Sequence, residues 1–176
     1  MNTLDLLPKI NTFIFDVDGV LTDGTITLQP DGEQGRTMNI KDGYALQLAV
    51  KLGYEVIIIT GGKSQIVKDR LNSLGVINVY LGSSDKMEVF EEATLSLDLD
   101  PKKCLYMGDD VPDYFVMKEV GLPTCPLDAA PEIQSISRFI SGKKGGEGCV
   151  REVIEKVLRA QGKWFDPVQP NENQLW

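Results

Sequence analysis

At 176 residues, 42% hydrophobic and 25% charged, the chain has the size and composition of one ordinary globular domain. A net charge of −8 disfavours nucleic acid and anionic membrane as partners, so an anionic substrate needs local cations or a metal to hold it. Histidine is absent, which excludes Ser-His and Cys-His nucleophile schemes and histidine metal sites; Cys104, Cys125 and Cys149 lack C-x-x-C spacing and read as free thiols.

Met1 to Pro8 shows no basic stretch ahead of a long apolar run, and no apolar run is long enough to span a bilayer, so the expected location is cytoplasmic. Thr12 to Phe15 reads as a buried strand. Thr25-Ile26-Thr27-Leu28, then Pro30-Asp31-Gly32, then a polar stretch to Met38 predict a β-hairpin over about 24–38. Gly43 to Leu52 has helical period, Val56 to Ile59 reads as a strand, and Ser64 to Leu74 as a helix. Val76 to Leu81 (strand), Lys86 to Leu97 (helix), Cys104 to Met107 (strand), Asp113 to Val120 (helix) and Val150 to Gln161 (helix) follow. Gly53, Gly75 and Gly121 stand where C-terminal caps belong. The alternation predicts an α/β fold, a Rossmann-like parallel sheet flanked by helices with the hairpin protruding. One domain covers 1–162. The tail, 163–176, carries Pro167 and Pro170 and reads as irregular, with Trp164, Phe165 and Trp176 expected to dock.

Four elements carry candidate chemistry. The first strand ends in Asp16-Val17-Asp18-Gly19, and residues i and i+2 face one side, so Asp16 and Asp18 converge at the carboxyl end, where open α/β sheets bind ligands; a strand with an acidic turn would look the same. Thr60-Gly61-Gly62 follows the second strand, where glycine N–H groups and a hydroxyl can approach a phosphate, or simply make a turn. Lys86 opens a helix after a strand and turn, where a cation opposes the dipole unless it faces an anion, though a solvated surface lysine is the commoner case. Gly108-Asp109-Asp110-Val111-Pro112-Asp113 follows another strand, and its three acids exceed what helix capping needs.

Each element lies after a different predicted strand, so one fold brings all four to one rim. Two unit charges ~4 Å apart repel by about 4 kcal/mol at an effective dielectric of ~20, so five carboxylates there require a divalent cation. Oxygen ligands alone favour Mg²⁺.

The order Asp-x-Asp, Thr, Lys, Gly-Asp-Asp-x-x-Asp over Phe13 to Asp113 resembles the haloacid dehalogenase superfamily. The resemblance implies that Asp16 attacks phosphorus and that Asp18 acts as acid, then base. It also implies that Thr60, Gly61 and Lys86 bind the phosphoryl group. Asp16, the Asp18 carbonyl and Asp109 would hold Mg²⁺, supported by Asp110 and Asp113. Only 26 positions separate Thr60 from Lys86, and the earlier gap holds just the hairpin, so no cap domain is expected.

Asp16 to Gly24, Lys41-Asp42-Gly43, Gly61-Gly62-Lys63-Ser64 and Gly145 to Glu152 resemble the 3-deoxy-D-manno-octulosonate 8-phosphate phosphatase family. This implies a sugar phosphate substrate on the route to the lipopolysaccharide inner core and a homotetramer in which a neighbour closes each site. The basic residue after motif two is Arg70, which can take the sugar's carboxylate bidentately or pair with a surface acid. Gly62 departs from the Arg of many members and concerns the same sugar end. Other readings stay open: a nine-carbon keto-sugar acid 9-phosphate phosphatase, a phosphatase of macromolecules, and a catalytically silent oligomerisation module.

Overall fold

The computed structural model describes residues 3–167. Six parallel strands form the sheet: β1 (Thr12–Phe15), β4 (Glu55–Ile59), β5 (Asn78–Tyr80), β6 (Cys104–Met107), β7 (Leu122–Cys125) and β8 (Phe139–Ile140), in the order β5-β4-β1-β6-β7-β8. β1 lies at the point where the chain, having built outward through β4 and β5, returns to add β6 on the other side. The carboxyl end of β1 is therefore the crevice where a sheet of this type binds ligands.

Strand periodicity assigns the two faces. Phe13, Phe15, Val56, Ile58, Leu105 and Met107 pack into one core with helices α2 (Ile40–Lys51), α3 (Gln65–Ser73) and α7 (Cys149–Ala160). Ile14, Ile57, Ile59, Cys104 and Tyr106 point into the other, under α4 (Lys86–Ser96), α5 (Tyr114–Glu119) and α6 (Pro131–Ile136). A short α1 (Thr3–Leu6) precedes β1. Burial of the three central strands on both faces explains their continuous apolar runs.

The hairpin is present as the antiparallel pair β2 (Thr27–Leu28) and β3 (Gln34–Gly35), shorter than the sequence pattern suggests. Among the described residues no other insertion interrupts the fold between β1 and α4, so there is no cap domain. The predicted helices and the four predicted strands are found, with ends shifted by a few residues. The sequence reading missed β7, β8, α1 and α6.

Gly53 (φ +82°) and Gly75 (φ +88°) follow α2 and α3 in the left-handed conformation expected after a helix. Gly121 does not: its φ is not positive, and a Cβ there would lie 2.0 Å from the Lys102 carbonyl oxygen, so close backbone approach is what demands glycine. Trp164 is buried, its ring 4.5 Å from the Arg151 guanidinium, whereas Phe165 is 53% exposed; Trp176 lies outside the described residues. Cys104, Cys125 and Cys149 are buried free thiols. No described helix is long and apolar enough to cross a membrane.

Candidate active site

Asp16 continues β1 by one residue, and its N–H still donates to Met107 O (3.1 Å), so the backbone of the sheet fixes where its side chain emerges. One carboxylate oxygen accepts from the N–H of Val17 (2.6 Å), and the other meets Lys86 Nζ at 2.7 Å. Lys86 also donates to Asp113 Oδ1 at 2.6 Å. The lysine that opens α4 against the helix dipole is thus buried between two anions, while Asp85 caps the helix by accepting from the N–H groups of Met87 and Glu88.

Asp113 is fully buried and its acceptor capacity is filled. Oδ1 takes Lys86 and the Tyr106 hydroxyl (2.6 Å), and Oδ2 takes the N–H groups of Asp109 (3.2 Å) and Asp110 (3.5 Å). It orients the β6–α5 loop. Asp110 stands apart: its exposed carboxylate accepts from Val111 N–H (2.8 Å) and completes a capping box with Asp113. The crowd of five acids expected from the sequence is a group of three, Asp16, Asp109 and Asp113, whose oxygens come within 4.8 Å of one another.

Within that group Asp109 is underused. Its Oδ1 is buried with no hydrogen-bond partner among the described residues, and its Oδ2 packs on Gly19, where a Cβ would lie 2.0 Å away. Gly19 (φ +87°) is therefore required both by its backbone and by this contact. Burial, followed by the charges of Asp16 and Asp113, pushes Asp109 up to about 7. Burial and Asp113 likewise raise Asp16 to about 6 against the opposing pull of Lys86. For Lys86, burial lowers the pKa, but Asp16 and Asp113 outweigh it and the net shift is upward, so the ammonium persists.

An orphaned carboxylate oxygen beside two more carboxylates, all hard oxygen donors, fits a magnesium ion. Asp113, with both oxygens committed, suits support better than direct ligation.

Thr60 is buried at the end of β4 and accepts from Gly62 N–H (3.1 Å). Ser83 N–H donates to Thr60 O and Gly82 N–H to Gly62 O, so the Thr60-Gly61-Gly62 loop is tied to the turn leading into Lys86. Asp18 sits on the same rim, and Arg36 at the foot of the hairpin donates to both its oxygens, Nε at 2.7 Å and Nη2 at 3.1 Å. Sequence reasoning missed Arg36, because nothing in a hairpin's pattern says what its base touches. It also missed Tyr106, whose position in a buried strand was a usable signal, since a buried tyrosine hydroxyl needs a partner. Arg70 on α3 is exposed and forms no ion pair among the described residues.

No family model matches the chain. It is 40% identical over 155 residues to 3-deoxy-D-manno-octulosonate 8-phosphate phosphatase of Escherichia coli K12, covering 88% of this chain and 82% of that protein. The crystal structure of the Yersinia pestis phosphatase of the same name superposes with a TM-score of 0.88 at 37% identity, over 91% of this chain and 86% of the other. The Moraxella catarrhalis phosphatase, solved with a magnesium ion, a phosphate ion and a KDO molecule, matches with a TM-score of 0.87 at 33% identity, over 90% of this chain and 91% of the other.

Proposed function

The chain belongs to the 3-deoxy-D-manno-octulosonate 8-phosphate phosphatase family of the haloacid dehalogenase superfamily, and from that membership we propose that it hydrolyses 3-deoxy-D-manno-octulosonate 8-phosphate to the free sugar acid and phosphate. The observation that carries the reading is the buried Asp16–Lys86–Asp113 arrangement beside the unpartnered oxygen of Asp109, at the carboxyl end of β1.

In this reading a carboxylate oxygen of Asp16 attacks phosphorus and the phosphorus–oxygen ester bond breaks. Asp18 gives its proton to the leaving sugar oxygen. A water molecule then loses a proton to Asp18 and attacks the aspartyl-phosphate, releasing phosphate and restoring Asp16. Lys86, the Thr60 hydroxyl and the Gly61 N–H receive the phosphoryl oxygens. Asp16, the Asp18 carbonyl and Asp109 would hold Mg²⁺, with Asp113 fixing the loop of Asp109. When bound, the ion neutralises charge on the transferring group. Arg70 serves the substrate's carboxylate, and Gly62 leaves the space through which the sugar extends.

The reading extends to a homotetramer in the cytoplasm. Ile26, Leu28 and Ile66 are 44%, 75% and 68% exposed around the hairpin and α3, an apolar surface that a neighbour would cover. Sedimentation equilibrium reads the assembly, and a fully active monomer would overturn it. Phosphate release with eight-carbon and nine-carbon acid phosphates as substrates tests the specificity, with preference for the eight-carbon ester expected. Absence of any Mg²⁺-dependent hydrolysis would favour the silent module.

A further inference from the structure

Arg36 reaches the catalytic rim from the foot of the hairpin, and the form of its contact is informative. The guanidinium offers its Nε and Nη2 edge to both oxygens of one carboxylate, while Nη1 is anchored on the Gln34 carbonyl (3.0 Å). That fork is how arginine recognises a carboxylate, and Asp18 displays it within the chain itself. The pair also occupies both oxygens of the residue that must face the ester oxygen.

Two further facts define the surroundings. A cavity of about 440 Å³ lies between the hairpin and α3, with Arg36 and Arg70 among its lining residues. Arg36, Ser64 and Val67 also line the recess formed by Asp18, Thr60 and Gly62, so the cavity adjoins the phosphoryl site. A Cβ at Gly62 would lie 3.4 Å from Arg36 Nη2 and 3.4 Å from Asp18 Oδ2. Position 62 therefore borders the Arg36–Asp18 pair at van der Waals distance. Arg70, without an ion pair of its own among the described residues, supplies a second cation to the same cavity.

We propose that Arg36 is a specificity-determining residue that exchanges one carboxylate for another: it rests on Asp18 and transfers to the carboxylate of the substrate, which occupies the cavity between the hairpin and α3. The exchange couples recognition to chemistry. Only a substrate bearing a carboxylate at the end remote from its phosphate draws the guanidinium away and leaves an oxygen of Asp18 free to meet the ester. This inference rests on the proposed function, because it needs an acidic sugar phosphate as substrate.

The test compares 3-deoxy-D-manno-octulosonate 8-phosphate with p-nitrophenyl phosphate, an ester without a carboxylate, in wild type, Arg36→Met and Arg36→Lys. The readout is the ratio of kcat/KM for the acid ester to that for the aryl ester. A charge-assisted fork predicts a fall of about 10- to 100-fold in that ratio for Arg36→Met, led by a rise in KM for the acid ester. Arg36→Lys, which keeps the charge and loses the fork, gives a smaller fall. A ratio within about threefold of wild type in both variants would show that Arg36 only orders Asp18 or the hairpin, and would overturn the proposal while leaving the function intact. Wild type that hydrolyses the aryl ester but not the acid ester would instead overturn the function, and this inference with it.

Discussion

Replacing Asp109 by asparagine should stabilise the metal-free protein at pH 8 and abolish its response to magnesium. The carboxylate has a buried oxygen with no partner, and its pKa lies near 7 because burial and the charges of Asp16 and Asp113 oppose ionisation. A rise from 3.8 to about 7 corresponds to about 4 kcal/mol between the two protonation states. The sign follows from linkage: between those values the folded chain binds the proton more tightly than the unfolded chain. This contribution is complete below about pH 4 and is lost as the pH climbs through 7. The amide of the variant carries no such charge. Residual solvent exposure screens the charge and reduces the gain of the variant at pH 8 to about 2 kcal/mol, with little change near pH 4, where the buried carboxyl is itself neutral. Urea unfolding in chelator at both pH values measures this. The same series with Mg²⁺ should add about 2.7 kcal/mol to wild type at 100 times the dissociation constant and nothing to the variant. A variant less stable than wild type at pH 8 in chelator, or one that keeps the magnesium increment, would refute the reasoning.

Lys86→Met should lower kcat by about 10²- to 10³-fold in a phosphate-release assay, since it removes the cation that faces the transferring group and leaves Asp16 and Asp113 uncompensated. Asp42, 1% exposed, accepts from Arg151 N–H at 2.6 Å through one oxygen while the other has no hydrogen-bond partner among the described residues, and burial raises its pKa to about 6. Asp42→Asn should therefore gain about 1 to 2 kcal/mol at pH 8, with the gain vanishing towards pH 4 in the same unfolding assay. Gly121→Ala forces a Cβ against the Lys102 carbonyl oxygen and should cost about 3 kcal/mol or more in urea unfolding.

Much of the rim was legible because three of its motifs continue a strand. The periods of β1, β4 and β6 announce themselves, and two residues beyond each strand the chain reaches the ligand-binding edge. β7 was not legible because it contains Pro123, which argues against an interior strand. The structure shows why it is tolerated. The Pro123 carbonyl accepts from Arg138 N–H on the β8 side, and in an extended chain the missing N–H faces that way too, just before the two-residue β8 begins. For Lys86 the local pattern showed only a cation in want of an anion, and resemblance gave it the phosphoryl group; that Asp16 and Asp113 are the anions it rests between came from the fold. Arg36 and the cavity beneath the hairpin are properties of tertiary approach, invisible to any local pattern. The distinction between Asp113, whose four hydrogen bonds fill it, and Asp109, which keeps an oxygen free, likewise needed coordinates.

Phosphate release from 3-deoxy-D-manno-octulosonate 8-phosphate by wild type and by Asp16→Asn, each with Mg²⁺ and with chelator, tests the central claim most directly. Wild type should turn over only with Mg²⁺, and the variant should lose about 10⁴-fold or more of that rate while remaining folded. Hydrolysis that persists in Asp16→Asn, or that proceeds equally in chelator, would contradict the account.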